Sequence, residues 1–306
     1  MSKLILALVG PTASGKSAVA LCLAALCGGE ILCMDSMQVY RGCDIGTAKP
    51  TKAEQSQVPH HLLDICDPED NFSVSDYQEQ CEPLLHSVHV PILVGGTGLY
   101  LDSLMYRQRF GGAKADEALR AYYHRLADDH GKETLHDLLR QKDPAAAERL
   151  HPNDVRRVIR ALEVLEATGR SITEENGREL RDDLRFLLYA IDRPRENLYA
   201  RINRRVDQMI EDGLEAEVRA LWERGVPKEA TAIQGLGYKE FYDCFAGKCT
   251  REDARVTIKT RTRHYAKRQL TWFRRIPEIT WLPPEQPQAL ARKIADDIER
   301  SKESQS

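Results

Sequence analysis

The residues best suited to chemistry lie near the start of the chain, in the loop Gly10-Pro11-Thr12-Ala13-Ser14-Gly15-Lys16-Ser17. In a G-x4-G-K-[ST] loop the glycines let backbone N–H groups converge on phosphate oxygens, the lysine adds positive charge, and the serine hydroxyl can ligate Mg2+. An apolar run, residues 4–9, precedes this loop, and an Ala/Leu-rich helical pattern over residues 17–26 follows it. The order of strand, loop and helix predicts a binding site for a di- or triphosphate.

Asp35 directly follows a second strand-like run, residues 31–34. Ligands of parallel α/β sheets bind at the carboxyl ends of the strands, so we expect Asp35 to lie beside the phosphate loop. There its carboxylate could act as a general base or organise Mg2+. Its position also allows a simpler role, as a cap of the turn that follows.

A third strand-like run, residues 91–94, ends in Gly95-Gly96-Thr97-Gly98. A nucleotide hydrolase usually carries here an aspartate that helps to hold Mg2+. Glycines would let the backbone approach a phosphate closely, and the Thr97 hydroxyl could donate to one of its oxygens. The alternative is a structural turn, because paired glycines are also common in turns.

A long helical pattern over residues 251–274 carries much of the positive charge, although the formal net charge of the whole chain is −3. Its cations are Arg251, Arg255, Lys259, Arg261, Arg263, Lys267, Arg268, Arg274 and Arg275. Ile258, Tyr265 and Trp272 recur every seven residues and predict the buried stripe of the helix. Because cations occupy the remaining faces, the pattern favours contact with a nucleic-acid backbone over a plain solvated face.

The arrangement of elements predicts an α/β fold: a P-loop nucleotide-kinase-like parallel sheet flanked by helices. A fourth strand-like run, residues 186–191, follows a long charged and helical stretch without strand signals. We therefore expect an all-helical insertion at residues 113–182 within a core formed by residues 1–112 plus 183–306. Further along the chain, helices are predicted at residues 196–211, 214–224, 238–246 and 251–274. The last of these has a capping signature at Thr250 and Asp253. A frayed polar tail is expected after Arg300.

Composition narrows the class of protein further. The chain has 306 residues, of which 42% are hydrophobic, so a substantial core is expected. No run approaches the length of a membrane span, and the first residues lack the pattern of a signal peptide, which favours a cytoplasmic protein without a membrane partner. The 8 cysteines form no C-x2-C pair, and we expect buried free thiols rather than disulfides or zinc.

Taken together, these residues resemble the tRNA dimethylallyltransferases, which prenylate the N6 amine of the adenosine immediately 3′ of the anticodon. The resemblance covers nearly the whole chain. Besides the phosphate loop, it rests on residues 35–42 (DSMQVYRG), 44–50 (DIGTAKP), 59–62 (PHHL) and 95–100 (GGTGLY). It continues through residues 151–154 (HPND), 160–164 (RALEV), 201–206 (RINRRV), 235–239 (GLGYK) and 267–273 (KRQLTWF).

The resemblance implies a role for each residue of the reaction centre. The loop from Gly10 to Ser17 would hold the diphosphate of dimethylallyl diphosphate, and Asp35 would accept the N6 proton of adenine. Thr97 and Arg205 would neutralise the leaving group together with Lys16 and with Mg2+ on Ser17.

The resemblance also implies a partner, the anticodon stem-loop of tRNAs that read codons beginning with U. Its target adenine would be flipped out of the loop and would enter a channel through a monomeric protein. The positions implied to contact tRNA are Asp35, Ser36, Met37, Gln38, Thr97, Arg120, Arg156, Arg157, Val158, Ile159, Arg160, Gln234, Gly237, Tyr238 and Lys239.

Other interpretations remain open from the residues alone. An ATP-dependent nucleotide or nucleoside kinase also joins this loop to a parallel sheet, and a noncatalytic RNA-binding module could use it for a structural phosphate. Lys49 and Arg41 could contact RNA phosphate or hold their own loop. For His60 and His61 we expect hydrogen bonds that order a loop rather than proton transfer.

Overall fold

The computed structural model describes residues 2–106, 116–173 and 179–303. It divides the chain into two compact units. The first, which we call the core unit, comprises Met1–Met105 and Asp182–Ser306, and the second, the helical unit, comprises Tyr106–Arg181. Within the described residues, no helix is both long and apolar enough to cross a membrane.

A parallel sheet forms the centre of the core unit. Its strands are β1 (Lys3–Val9), β2 (Glu30–Met34), β3 (His60–His61), β4 (Pro91–Gly95), β5 (Leu184–Ile191) and β6 (Ile279–Leu282), in the spatial order β3-β2-β4-β1-β5-β6. Gly95 pairs with Val9 on one side and with Met34 on the other. The carboxyl ends of β1, β2 and β4 therefore meet at one edge, and the predicted α/β fold with a P-loop-like parallel sheet is confirmed.

Helices cover this sheet and extend the core unit. They are α1 (Lys16–Cys27), α2 (Lys52–Gln57), α3 (Val74–Ser87), α4 (Gly98–Met105), α9 (Arg195–Glu211), α10 (Leu214–Glu223), α11 (Tyr238–Phe245), α12 (Arg251–Phe273) and α13 (Pro287–Glu303), with a 3-10 turn at Thr231–Gln234. The helical unit contains α5 (Glu117–His130), α6 (Lys132–Lys142), α7 (Pro144–Arg149) and α8 (Val155–Thr168).

Local signals explain where the two most important helices begin and end. α1 lies between Gly15 and Gly28, whose φ angles of +102° and +63° suit glycine and disfavour other residues. α12 begins at the predicted cap, because the Thr250 hydroxyl accepts from the Asp253 N–H at 3.1 Å and Asp253 accepts from the Thr250 N–H at 3.0 Å. The two glycines thus fix where α1 starts and stops, so that it begins directly behind the phosphate loop.

The helical unit has a core of its own, built from one face of each longer helix. Tyr123, Leu135, Leu139 and Leu162 are buried there. Glu163 is also buried and pairs with Arg120 at 2.9 Å and with Arg160 at 2.6 Å. Burial acts to raise the pKa of Glu163, but hydrogen bonds from Arg160, the Asp116 N–H and Arg120 prevail and lower it.

Three elements differ from the sequence-based expectation. β3 and β6 are too short to give a clear strand pattern, and α13 was missed although Leu290, Ala291, Ile294 and Ile298 mark one buried face. α13 also extends to Glu303, into the tail that was expected to fray after Arg300, and residues 304–306 lie outside the described residues.

The buried stripe of α12 also differs from the expected one. Its buried residues are Ala254, Ile258, Thr262, Ala266, Gln269 and Phe273. Tyr265 and Trp272 are only half-buried, at the edge of this stripe. A strict seven-residue repeat drifts around a helix that has 3.6 residues per turn, so it does not follow one face over the length of α12.

Two leucines of α1 test the packing of this helix against the sheet. Leu23 is completely buried, whereas Leu26 is 54% exposed. We expect Leu23→Ala to lower the free energy of unfolding by about 2–5 kcal/mol, because it leaves a cavity in the core. Leu26→Ala, the matched control, should change it by less than about 0.5 kcal/mol. Urea denaturation of both variants would measure the difference, and equal losses would contradict the packing described.

Candidate active site

The phosphate loop leaves the N–H groups of Lys16 and Ser17, in the first turn of α1, without a partner within the helix. The Thr12 and Ser14 N–H groups are already bonded, to the Gln269 Oε1 at 2.9 Å and to the Pro11 carbonyl at 3.3 Å. Gly10 and Ala13 adopt φ angles of +124° and +62°, which turn the loop back on itself before Gly15 starts α1. No side chain caps the N-terminus of α1. Ser14 is fully buried, and its Oγ has no hydrogen-bond partner among the described residues. Unsatisfied donors at a helix N-terminus form a site for an anion.

Three arginines hold this loop from outside. Arg201 donates to the Ala13 carbonyl at 2.8 Å, Arg193 donates to the Ser14 carbonyl at 2.5 Å, and Arg205 lies 3.5 Å from the Thr12 hydroxyl. Only Arg205 was predicted as a site residue. The spacing of four residues between Arg201 and Arg205 places both on one face of α9 and could have indicated the first.

Residues that are distant in sequence line one cavity of about 280 Å3 in the core unit. Lys16, Asp35 and Arg205 contribute charge, and the apolar part of the lining comprises Met37, Ile202, Val206, Met209, Leu214, Leu236, Ile258 and Tyr265. A second cavity of about 260 Å3 also touches these three charged residues and adds Ser17. The structure thus brings together the phosphate loop, the end of β2 and the middle of α9.

Positive charge is concentrated at low dielectric in this site. Burial lowers the pKa of Lys16 to about 8. The negative charge of Asp35 opposes this effect, and the positive charge of Arg205 adds to it. Burial, and then the charge of Arg201, lower the pKa of Arg205 as well. Because an anion would relieve the repulsion between these cations, the site is suited to a phosphate ligand.

Asp35 and Thr97 lie beside each other where β2 and β4 end. The Asp35 Oδ1 accepts from the Met37 N–H at 2.9 Å, so this carboxylate does cap a turn. It also lines both cavities, and the two roles that the sequence left open are compatible. The Thr97 Oγ1 accepts from the Ser36 N–H at 3.1 Å and donates to the Ser36 Oγ at 3.5 Å, so its hydrogen would have to turn away from Ser36 to reach a ligand oxygen.

The glycines around Thr97 do not serve the role expected of them. A Cβ on Gly95 would lie 1.8 Å from the Met34 carbonyl oxygen. On Gly96 it would lie 2.1 Å from the Gln269 amide nitrogen, and on Gly98 2.3 Å from the Trp272 ring. Protein atoms fill this space, so these glycines admit β2 and α12 rather than a phosphate.

Several positions implied to contact tRNA have buried side chains. Val158 and Ile159 lie in the core of the helical unit, and Tyr238 is fully buried in the core unit. Tyr238 donates to Glu217 at 2.7 Å, and Gly237 is buried beside it. The side chains of Val158, Ile159 and Tyr238 are therefore not exposed to RNA, whereas a contact of tRNA with the Gly237 backbone stays a prediction.

The other implied positions differ in their surroundings. Asp35, Ser36 and Met37 line the cavity, Thr97 is bonded to Ser36, and Arg120 and Arg160 pair with Glu163. Arg156, Arg157 and Gln234 are exposed, and the Lys239 ammonium group donates to Gln234 at 3.1 Å. The Gln38 amide instead donates to the Thr47 carbonyl at 3.0 Å and to the Ala48 carbonyl at 3.2 Å. Among the implied positions, the exposed side chains of Arg156, Arg157 and Gln234 are the most accessible to a large partner.

The basic surface of α12 is smaller than its sequence indicates. Ion pairs join Arg251 to Glu215, Arg255 and Lys259 to Asp207, Arg261 to Glu240, and Arg274 to Asp192 at 2.5–2.8 Å. Arg263 donates to the Asn203 amide oxygen. Lys267 and Arg268 of α12, and Arg275 just after it, have no carboxylate within 4 Å among the described residues, so they are the cations that this segment offers to a polyanion.

Neighbouring loops are ordered by residues that were unassigned or missed. Lys49 donates to Tyr40, Asp44 and Asp64, which supports loop ordering over contact with RNA. Glu217 was missed; it accepts from the N–H groups of residues 44–46 at 2.7–3.0 Å. In the edge strand β3, the His61 Nε2 is hydrogen-bonded to the Glu30 carboxylate of β2 at 2.6 Å. Only the tertiary structure could reveal the partner of Glu217, which lies 171–173 residues away in sequence.

A parallel sheet with a G-x4-G-K-S loop between β1 and α1 defines the class as a P-loop protein. The family model for IPP transferase matches residues 38–276, and the model for isopentenyl transferase matches residues 3–67. The tRNA dimethylallyltransferase of Halalkalibacterium halodurans is 45% identical over 287 residues, which cover 92% of this chain and 91% of that protein. That of Geobacillus thermodenitrificans is 44% identical over 301 residues, which cover 97% and 95%.

Solved structures agree with these relatives. The full-length tRNA isopentenylpyrophosphate transferase of Bacillus halodurans matches with a TM-score of 0.73 and 42% identity, covering 100% of this chain and 99% of that one. A eukaryotic dimethylallyltransferase acting on tRNA matches with a TM-score of 0.79 and 30% identity, covering 98% and 78%. The chain belongs to the IPP transferase family, and the comparisons support a prenyl transferase rather than a kinase.

The lowered pKa of Lys16 predicts how anion binding depends on pH. Above pH 8 the ammonium group of the free protein loses its proton, whereas a bound anion raises the pKa and retains it. Diphosphate itself loses protons over this range, so the effect of Lys16 is measured relative to Lys16→Arg: the affinity of the parent should fall about tenfold relative to that of the variant between pH 7 and pH 9. Calorimetric titration at constant ionic strength would measure this change.

Lys16→Arg is the matched variant, because a guanidinium stays charged across this range. Its affinity for diphosphate should vary with pH less than that of the parent. If parent and variant show the same slope, the titrating group is not Lys16.

Proposed function

We propose that this protein transfers the dimethylallyl group of dimethylallyl diphosphate to the N6 amine of the adenosine 3′ of the anticodon. Its substrates would be tRNAs that read codons beginning with U, and the second product would be diphosphate. The observation that carries this proposal is that Lys16, Asp35 and Arg205 line one cavity together with a set of apolar side chains. The names of the full-length relatives supply the substrate class.

The phosphate loop would bind the diphosphate. The N–H groups in the first turn of α1, the Ser14 hydroxyl and Lys16 would face the phosphate oxygens. As the bond between carbon 1 of the dimethylallyl group and the diphosphate oxygen breaks, negative charge grows on the leaving group. Lys16, Arg205 and the Thr97 hydroxyl would stabilise this charge, and their fixed positions require little reorganisation during the reaction.

Asp35 would act as the general base. The adenine N6 forms a bond to carbon 1 of the dimethylallyl group, and one N6 proton passes to the carboxylate. One oxygen of Asp35 already accepts the Met37 N–H, which fixes the orientation of the group while the other remains available. A carboxylate held within hydrogen-bond reach of the amine typically contributes about 10²–10⁴-fold to such a step.

The apolar side chains of the same cavity suit the prenyl group. Ile202, Val206, Leu214 and Ile258 belong to α9, α10 and α12 and would surround a five-carbon chain. Such a lining excludes water, which would otherwise compete with the adenine amine for the allylic carbon.

A divalent cation fits the oxygen donors beside the phosphate loop. The Ser17 hydroxyl and the Asp35 carboxylate line the same cavity, and hard oxygen donors that leave positions for phosphate oxygens suit Mg2+. Mg2+ bound by Ser17 would supply charge neutralisation for the diphosphate. We therefore propose Mg2+ as the divalent cation, on the basis of these oxygen donors.

tRNA would contact exposed cations of both units. Arg156 and Arg157 offer charge in the helical unit, and Lys239, Lys267 and Arg268 offer it in the core unit. Contacts from such side chains to phosphates position an RNA, while the reactive base is read inside the cavity. We propose that the enzyme acts in the cytoplasm as a monomer.

Transfer can be tested directly with unmodified tRNA that reads a U-starting codon. We expect a prenylated adenosine after incubation with the protein, Mg2+ and dimethylallyl diphosphate, detected by mass analysis of the nucleosides. ATP in place of the allylic donor should give neither product nor appreciable hydrolysis. Absence of product with the allylic donor and all such tRNAs would refute the proposed function.

Substitution of Asp35 tests the general base. Asp35→Asn keeps an oxygen for the Met37 N–H but removes the basic carboxylate, so kcat should fall at least about 100-fold while tRNA binding is retained. Single-turnover rates and filter binding would measure the two effects. Asp296→Asn makes the same change at an exposed site on α13 and should match the parent. A fully active Asp35→Asn variant would remove Asp35 from its role.

A further inference from the structure

A buried amide connects α12 to the phosphate loop. Gln269 is only 6% exposed, and its Oε1 accepts from the Thr12 N–H at 2.9 Å. Its Nε2 donates to the Gly96 carbonyl at 2.9 Å. One side chain thus links the loop after β1 to the turn after β4, from a helix about 170 to 260 residues further along the chain.

The turn after β4 is shaped to receive this amide. A Cβ on Gly96 would lie 2.1 Å from the Gln269 Nε2, so any larger residue there would displace the amide. The Trp272 ring, one helical turn beyond Gln269, occupies the space beside Gly98 in the same way. Two glycines and two residues of α12 therefore fit each other, which points to a contact that the site requires.

The position of Thr12 gives this contact its chemical consequence. Thr12 lies in the loop that faces the anion, and its hydroxyl is 3.5 Å from Arg205. Thr97, which follows Gly96 directly, presents the hydroxyl that lies beside Ser36. Gln269 holds the backbone on either side of the proposed leaving group, and it lines the same cavity as Lys16 and Asp35.

We propose that Gln269 is a positioning residue for the diphosphate: it fixes the Thr12 and Gly96 backbone so that the loop and Thr97 meet the leaving group together. This inference rests on the proposed function for its effect on rate, but its effect on diphosphate binding stands independently. Buried polar groups are normally paired, so loss of the amide leaves the Thr12 N–H and the Gly96 carbonyl without partners. A shift of the loop by about 1 Å can cost about 100-fold in rate.

Gln269→Met tests the inference, because methionine has a similar length and no hydrogen-bonding amide. We expect kcat/KM for dimethylallyl diphosphate to fall about 10- to 100-fold, while KM for tRNA changes less than about threefold. The affinity for inorganic diphosphate, measured by calorimetry, should fall in parallel. Gln288→Met, the same change at an exposed position of α13, should match the parent in all three measurements.

Thermal unfolding separates positioning from simple stability. A variant with a lower Tm but unchanged kcat/KM and diphosphate affinity would overturn the inference, because Gln269 would then serve the fold alone. If Gln269→Met does not fold, Gln269→Asn keeps a neutral amide that reaches only one partner and should show a smaller loss of both quantities. Parent-like values in Gln269→Asn would likewise overturn it.

The two proposals fail in distinguishable ways. A parent protein that binds diphosphate but prenylates no tRNA would refute the proposed function, and calorimetry on Gln269→Met would still decide the role of Gln269. An active parent together with a variant of equal affinity and kcat/KM would refute only the inference about Gln269.

Discussion

Burial of Lys16 at the end of a parallel sheet is the constraint around which the core unit is organised. An ammonium group in a low-dielectric site is unfavourable, as its lowered pKa of about 8 shows, and Arg205 adds like charge nearby. The fold keeps both because α1 is anchored between two glycines and α9 is anchored to the loop through Arg201. The resulting unfavourable repulsion in the free protein is what an anionic ligand would relieve.

The same sheet edge explains the unusual turn after β4. A P-loop enzyme that hydrolyses nucleotides needs a carboxylate near this edge, whereas this chain has glycines that admit α12. The consequence is a cavity closed partly by Ile258, Tyr265 and Gln269 of that helix. α12 therefore contributes side chains to the inside of the site. Most of the cations on its outer face form ion pairs with neighbouring helices.

The arginines of the helical unit also divide into some that are held by ion pairs and some that remain exposed. Arg120 and Arg160 converge on one buried carboxylate, Glu163, so these two arginines are held in defined positions. Arg156 and Arg157 on α8 remain exposed. The distinction between cations that hold the protein together and cations that are available to a polyanion depends on partners far away in sequence.

The sequence by itself determined most of the elements and the chemistry of single positions. Local signals sufficed for the loop between β1 and α1, for the glycines that bound α1, for the capping box at Thr250, and for Asp35 at the end of a strand. These features depend on neighbours within a few residues, which a linear pattern contains. The motif match also identified Thr97 and Arg205, whose proposed roles await experiment.

Only the tertiary structure decided which of these residues meet. Arg193, Arg201, Glu217 and Gln269 gain their roles from contacts that span more than 150 residues, and no local pattern encodes such a contact. The burial of Val158, Ile159 and Tyr238 was decided in the same way, since helix packing selects which face is covered. Local propensity specifies the elements, whereas the site arises from the packing of their side chains at the shared edge of one sheet.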